Sequence, residues 1–313
     1  MPIVVNTNAA ATQASFNLSK VNDALRSSLK RLSSGNRINS PADDAGGMAV
    51  AYKMDSTIKR TEATIQNAQN GLSFLQVQDG ALSTVGNILT RMSELRTMAS
   101  DVTKNSGDIE NYSKEFIELQ SQLNQIKRQQ FNGISLFAHT GSTMSGTGQT
   151  GTAAYSATEN YTTFSRQLLT TASGQPADGS ISLNVVNLQF VLSIGSLSGT
   201  TAGTNQNLGG LGGMNGGFVN SILDVSIGQF TSVIEKLADM RAENGAEQNR
   251  VMNSIEFLQT NMTNLEAAHG RIMDADIALE STRFARQNVL VQASASMTAQ
   301  ANQLTNIALQ LLG

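Results

Sequence analysis

Residues 287–313 read QNVLVQASASMTAQANQLTNIALQLLG and contain no charged side chain. A large apolar residue recurs every seven positions, at Leu290, Met297, Leu304 and Leu311, with Ile307 between the last two. A seven-residue repeat predicts a helix with one apolar stripe along its length. The remaining surface is mainly Gln, Asn, Ser, Thr and Ala. Such a face suits a helix shared with neighbouring copies, where an unpaired charge would be unfavourable.

The start of the chain carries a matching pattern. Residues 1–19 are also uncharged, and Leu18, Leu25 and Leu32 share one heptad position, with Val21 at the partner position. Ordinary surface helices are the alternative interpretation, but their exposed faces usually carry Lys, Glu and Arg. Helices of this uncharged kind are marginal alone in water. We therefore expect the two ends to pair with each other, to become ordered on assembly and to form a polymer.

Composition excludes several classes of function. Charged residues make up 14% of the chain, against roughly 25% in an ordinary soluble domain. The net charge of −3 gives no indication of a nucleic-acid partner. The chain has no cysteine, which excludes disulfides, thiolate metal sites and cysteine nucleophiles.

The first residues, MPIVVNTNAAATQ, lack the basic start and the apolar stretch of a Sec-type signal peptide. No run approaches the roughly 18 apolar residues of a membrane helix, so membrane insertion is not expected. Two interpretations remain at this point: an intracellular protein, or export by a route that leaves no cleaved signal.

Helical patterns flank the centre of the chain. Gly35 is expected to end the first helix, and Ser40 and Pro41 to begin the next one near residue 41. A polar break at 104–108 separates two stripes, and an interruption near Gly245 predicts a weak spot or kink in the helix after the centre. The stripe residues are Ala51, Met54, Ile58, Ile65, Ala68, Leu72, Leu75, Leu82, Val85, Leu89 and Met92, then Phe116, Leu119, Leu123 and Ile126, and after the centre Ile227, Phe230, Ile234, Leu237, Val251, Ile255, Leu258, Met262, Leu265 and Ile272.

The centre has a different composition. Residues 141–220 hold few charges and many glycines, which disfavour a long helix. Alternation over 181–185 and the apolar run 188–194 predict one or two strands. The expected fold is therefore mainly α, a long antiparallel helical bundle or coiled-coil rod built from both chain ends. A small β-rich or irregular insert occupies the centre.

Several segments resemble the bacterial flagellin family, in the right order at both ends. The stretch LSSGNRINSPADDAG at 32–46 looks like the family's hallmark, and QFNG at 130–133 resembles the turn that closes its N-terminal helical part. RIMDAD at 271–276 and AQANQ at 299–303 are similar to the run before the terminal helix and to the final-helix motif. The resemblance covers roughly 1–140 and 220–313.

The resemblance implies three layers and a route of export. Residues 1–40 with 273–313 would form the inner terminal-helix domain, 41–140 with 220–272 a helical rod, and 141–219 a variable outer domain. The subunit would pass unfolded through the flagellar export apparatus with an export chaperone on its C-terminal segment. It would then join a homopolymer beneath a filament cap, next to hook-junction proteins. Localisation would be extracellular, in the flagellar filament, serving swimming motility.

The resemblance also points to a patch recognised in many flagellins by an innate immune receptor. Arg91 and Leu95 match that patch, and Glu118 is expected to complete it. Two positions depart from the family pattern: Ser93 stands where a second arginine is common, and Arg96 where a small residue is usual. Under the alternative interpretation, Leu95 is a partly buried assembly contact and Arg91 a solvated charge.

Other functions are weighed against this one. The hook–filament junction protein is a relative with similar ends, and a helical surface adhesin would need no polymer. An enzyme is not expected, because no convergent polar constellation appears, and no cofactor or metal is implied. His139 and His269 lie far apart in sequence, and the paired acids at 43–44 and 274–276 are better explained by helix capping and by solvated or intersubunit contacts.

Overall fold

The computed structural model describes residues 8–137, 164–186, 188–192, 219 and 221–310. Helices dominate this part of the chain, as the sequence predicts, and the strands are short. The elements are α1 (Ala9–Ser34), α2 (Ala45–Ala99), α3 (Ser106–Lys127), β1 (Gln130–Phe131), β2 (Ile134–Ser135), β3 (Phe164–Leu169), β4 (Ser180–Val185), α4 (Leu188–Val191), α5 (Ile227–Met273) and α6 (Ile277–Gln310), with single 3-10 turns at Pro176–Asp178 and Ile222–Asp224.

The chain divides into two compact units. One comprises Met1–Lys59 with Met262–Gly313, and the other Arg60–Asn261. The helices α2 and α5 each contribute residues to both units.

The unit Arg60–Asn261 contains the main hydrophobic core, which α2, α3 and α5 build from the predicted stripes. Leu82, Leu89 and Met92 of α2 are completely buried. Phe116 of α3 meets Phe230 of α5 edge to face, with ring centroids 6.2 Å apart. Between α2 and α3, Asn105 and Asp108 form a capping box, so the predicted polar break at 104–108 is confirmed.

The helix α5 continues through Gly245, from Ile227 to Met273, and the weak spot or kink there stays a prediction. Asn244 occupies the same heptad position as Leu237 and Val251, and like them it is buried. Its amide donates to Gln78 Oε1 of α2 at 2.7 Å. The interruption in the apolar pattern is therefore a buried polar layer between α2 and α5. Its amide groups are tolerated there because they are hydrogen-bonded to each other.

The phase of α5 differs from the prediction at its start. Val233 is completely buried, whereas Ile227 and Ile234 are partly exposed. The buried face therefore passes through Phe230, Val233 and Leu237.

The helix α2 begins at Ala45, four residues later than predicted. Residues 41–43 form a turn in which Asp43 Oδ2 accepts hydrogen bonds from the N–H and hydroxyl of Ser40. Asp44 acts as the cap, because its Oδ1 accepts from the N–H of Gly47 at 2.9 Å. Asp44 therefore takes the capping role expected of Ser40, and Pro41 lies in the turn before the helix.

Two antiparallel hairpins complete the described fold. Asn132 and Gly133, both with positive φ, form the turn between β1 and β2. The strand predicted at 181–185 is confirmed as β4, and its partner is β3. Of the one or two strands predicted over 181–194, β4 is the one that forms, because Leu188–Val191 is the short helix α4. Residues 193 and 194 lie outside the described residues.

The β3–β4 hairpin packs on α2 and α5. A Cβ built on Gly71 of α2 would lie 3.0 Å from Cδ2 of Leu168, so any larger residue here would require the Leu168 side chain to shift. Arg166 stands over the ring of Phe74, 5.6 Å from its centroid. The backbone N–H of Asn184 in β4 donates to both carboxylate oxygens of Glu247 at 3.0 and 2.9 Å.

Candidate assembly surface

The two chain ends pair as antiparallel helices, as predicted. Asn8 caps α1, since its side chain accepts from the N–H of Ala11, and Gly35 ends α1 in the left-handed conformation with φ of 74°. At the start of α6, Asp276 Oδ1 accepts from the N–H of Leu279 at 3.0 Å. Each terminal helix thus begins at a residue whose side-chain oxygen satisfies a free backbone N–H.

Contacts at both ends of the pair fix its alignment. The Asn8 amide donates to the carbonyl oxygen of Ala301 at 2.8 Å. At the other end Asn36 and Asp274 form an antiparallel bridge, flanked by hydrogen bonds from Ala275 N–H to Gly35 O and from Arg37 N–H to Met273 O. The hallmark-like segment beginning at residue 32 therefore joins the C-terminal end of α1 to the residues just before the N-terminal end of α6.

The same segment orders the chain that follows. Ile38 is buried, and the Arg37 guanidinium donates to the carbonyl of Ile272 at 2.7 Å. The Ser40 hydroxyl and the Asn39 N–H hold the pKa of the Asp43 carboxyl below its ordinary value. The carboxylate thus stays ionised and keeps the turn closed.

The predicted α1 residues face α6. Leu18, Val21, Leu25 and Leu32 are all half-buried in the pair. Most of the α6 residues on the facing side are polar or small, and they too repeat in steps of three and four; these are Glu280, Phe284, Gln287, Val291, Ser294, Thr298 and Ala301.

The apolar stripe predicted on α6 does not face α1. Leu290 is 44% exposed and Met297 66%, and Val289 beside them is 65% exposed. On α1, Phe16 and Leu29 are likewise uncovered, at 67% and 55%. We use the name open stripe for these five exposed apolar residues of the two helices, Phe16, Leu29, Val289, Leu290 and Met297, which do not all lie on one helix face.

The remaining residues predicted for assembly lie at the end of α6. Leu304 and Ile307 belong to the helix, and Leu311 lies outside the described residues. Their part in assembly stays a prediction, as does that of the residues above.

The predicted receptor patch separates into buried and exposed parts. Leu95 is completely buried in the core of the unit Arg60–Asn261. Arg91 is exposed and donates to Glu115 at 2.8 Å and to Glu94 at 3.2 Å, which raises its pKa further. Glu118 is exposed on α3 and lines an open cavity of about 290 Å³ with Glu115 and Leu119. Recognition by a receptor stays a prediction.

Other predicted features also have a place in the structure. His269 is half-buried near the end of α5, and His139 lies outside the described residues. In the part of the chain that the structure describes, no three His, Asp or Glu side chains gather as they would around a metal ion. None of the described helices has both the length and the apolar run needed to cross a membrane.

Comparison with known proteins gives the class of this molecule. The family description "Bacterial flagellin N-terminal helical region" matches residues 5–142, and "Bacterial flagellin C-terminal helical region" matches residues 227–312. The two matches cover most of the chain and leave out its centre. The chain therefore belongs to the bacterial flagellin family.

Two related sequences support the same assignment. A flagellin of Bacillus subtilis is 31% identical, with 98% of this chain and 99% of that protein covered. A flagellin of Halalkalibacterium halodurans is 32% identical, with 99% and 100% covered. The crystal structure of Bacillus cereus flagellin, 25% identical, covers 65% of this chain and 94% of its own, with a TM-score of 0.42. As a flagellin, this chain is a structural subunit of the extracellular flagellar filament.

Proposed function

We propose that the chain polymerises through the open stripe of its terminal helices, and that each copy covers the stripe of its neighbours. The observation that carries the proposal is the exposure of Phe16, Leu290 and Met297 on a pair of helices in whose described parts no large apolar side chain is fully buried. Contacts between different surfaces of identical subunits generate helical filaments when the rotation does not close. The role is structural, and we propose no catalytic activity.

The layers follow from the same proposal. Residues 1–40 with 273–313 form the inner layer, 41–140 with 220–272 the rod around it, and 141–219 the outer surface. The low charge of both ends supports the inner position, because a charge enclosed between subunits without a partner is unfavourable. The hook–filament junction protein and the adhesin gain no support over the filament subunit from the comparisons.

The partners are proposed from membership of the family. The subunit passes through the flagellar export apparatus, with an export chaperone on its C-terminal segment, and is added beneath a cap next to hook-junction proteins. The absence of cysteine fits a chain that must stay free of cross-links before it reaches an oxidising exterior.

Recognition by an innate immune receptor is a separate proposal. Arg91 and Glu118 support it, because both are exposed on neighbouring helices. Leu95, being buried, would act only by holding α2 in place. A receptor-reporter assay of Arg91→Ala and Glu118→Ala, with the exposed Lys114→Ala as control, tests it. An unchanged receptor response from both variants would contradict recognition through Arg91 and Glu118.

The filament proposal is tested by seeded polymerisation. Purified chain is added to short filament fragments and followed by sedimentation and negative-stain electron microscopy. The full chain should form filaments, and a chain lacking residues 1–30 and 287–313 should not. A full chain that stays monomeric would return the choice to the junction protein or the adhesin.

Point variants test the open stripe itself. Met297→Lys and Gln292→Lys add the same charge to exposed positions of α6, but only Met297 belongs to the open stripe. Burying a Met side chain contributes about 1.5–3 kcal/mol. Met297→Lys should therefore raise the critical concentration for polymerisation at least tenfold, and Gln292→Lys much less. Equal effects would mean that the stripe is not the contact surface.

A further inference from the structure

The most buried side chains of the terminal pair are polar. Within the described parts of α1 and α6, only Ser28, Glu280 and Ala301 are fully buried, with Ser28 2% and Glu280 5% exposed. The hydroxyl of Ser28 donates to Oε1 of Glu280 across the interface. Leu18, Leu25 and Leu32 of α1, by contrast, are only half-buried.

The surroundings of Glu280 suit a carboxylate that is held in one place. Arg283, one turn further along α6, lies 3.4 Å from its other oxygen, Oε2. Glu280 is also in the first turn of α6, where the helix dipole favours a negative charge. A buried carboxylate without a donor is strongly unfavourable. Any alignment of the helices that separates Glu280 from Ser28 therefore loses the hydrogen bond and keeps the cost of burial.

The apolar pattern alone does not define the alignment. The facing side of α6 repeats every seven residues through Glu280, Gln287 and Ser294, and that of α1 through Val21 and Ser28. A slip of one heptad, about 10 Å at 1.5 Å per residue, preserves both repeats. In one direction it places Glu280 against Val21.

A slip in the other direction places Gln287 against Ser28. The Oε1 atom of Gln287 is buried in this structure and accepts no hydrogen bond. The slipped pair would satisfy that atom, so the two alignments compete through their polar residues. The charge and the partners of Glu280 distinguish them.

We propose that the Ser28–Glu280 pair sets the register of the terminal helices. A single polar residue at a core position is known to fix the register of coiled coils at some cost in stability. The inference rests on the proposed polymerisation, because the register sets the height at which α6 presents Leu290 and Met297 beside α1. Its rival is the backbone bridge between Asn36 and Asp274, which also ties the two helices together at their base.

The absence of native cysteine allows a direct test by disulfide formation. Asn8→Cys is combined in turn with Ala301→Cys, Ser294→Cys or Ala308→Cys, which report the observed register and a slip of one heptad in either direction. The yields are compared under mild oxidation in four backgrounds. These are the unchanged chain, Ser28→Val with Glu280→Leu, Glu280→Gln, and Gln287→Leu as the control that removes a polar side chain from the same face.

In the unchanged chain and in Gln287→Leu, the 8–301 disulfide should exceed each of the other two at least tenfold. In the Ser28→Val, Glu280→Leu background, a slipped pair should rise to within about twofold of it. Glu280→Gln makes position 280 resemble position 287 and should give an intermediate ratio. An 8–301 disulfide that stays dominant in all four backgrounds would overturn the proposal and assign the register to the backbone bridge.

The yields are measured in filaments and in the soluble chain, so a variant that does not assemble still reports its register. Failure of the unchanged chain to form filaments would contradict the proposed function. A normal filament with an unchanged disulfide pattern in every background would contradict only the register proposal.

Discussion

The unit Arg60–Asn261 and the pair of terminal helices differ in the side chains that they bury. In Arg60–Asn261, large apolar side chains such as Leu82, Met92 and Phe116 are completely buried, and the polar side chains of Gln78 and Asn244 are paired within the chain. In the terminal pair, the buried positions are Ser28, Glu280 and Ala301, whereas large apolar residues are open to solvent. Arg60–Asn261 therefore has a core of large apolar side chains within the single chain, whereas no large apolar side chain is fully buried in the described parts of α1 and α6.

The largest effect should separate the two units directly. Phe116 is completely buried and in edge-to-face contact with Phe230, so Phe116→Ala should lower the free energy of unfolding of the monomer by about 3–5 kcal/mol. Leu18 is only half-buried, and Leu18→Ala should change the same quantity by less than about 1 kcal/mol while raising the critical concentration for polymerisation. Denaturant titration and sedimentation measure the two quantities. Similar losses of monomer stability in both variants would break the comparison.

A second prediction concerns the buried polar layer of Gln78 and Asn244 in Arg60–Asn261. Asn244→Ala leaves Gln78 Oε1 without its donor in a buried place, and should lower the free energy of unfolding by about 1–3 kcal/mol. Arg241→Ala removes an ion pair with Asp79 whose side chains are 43% and 35% exposed. Its effect should be only about 0–1 kcal/mol. If Arg241→Ala destabilises the chain more than Asn244→Ala in denaturant titration, the hydrogen bond of Asn244 does not stabilise the packing of α5 against α2.

Much of Arg60–Asn261 could be predicted from the sequence, because its apolar stripes and the residues that cover them lie in the same chain. The end of α1 at Gly35 and the polar break at 104–108 also follow from local rules, because capping depends on neighbouring residues. The strand β3 was not predicted. Its residues Ser165, Arg166 and Gln167 show no apolar alternation, and it forms by pairing with β4.

The terminal pair marks the limit of prediction from periodicity. The heptad of Leu290 and Met297 is the most regular on α6, yet the side that faces α1 carries Glu280, Gln287 and Ser294. A seven-residue repeat locates an apolar face but does not say which molecule covers it. In a chain that forms a polymer, the clearest stripe is free to serve a neighbouring copy. The buried Ser28–Glu280 pair gave no signal in the sequence, because one Ser and one Glu are ordinary residues of a helix.

The smallest expected effect is at Glu247 of α5, whose carboxylate accepts hydrogen bonds from the backbone of Asn184 in β4. Burial raises the pKa of this carboxyl from 4.5 to about 7, against the opposing hydrogen bond from the N–H of Asn184. Between these two values the folded chain binds more protons than the unfolded chain. Stability from this group is therefore fully present below pH 4.5 and is lost as the pH rises through about 7.

Glu247→Gln keeps an oxygen that accepts from Asn184 and removes the charge. The variant therefore tests whether the ionised carboxyl lowers the stability of the folded chain. The variant should be more stable than the unchanged chain above pH 7, by roughly 1 kcal/mol once the carboxyl's remaining contact with water is allowed for. Its stability should also depend less on pH between 4.5 and 7. Denaturant titration across pH 4–9 measures both, with the exposed Glu256→Gln as a control for the loss of one charge. A variant that follows the pH profile of the unchanged chain would show that the ionisation of Glu247 does not lower the stability of the folded chain.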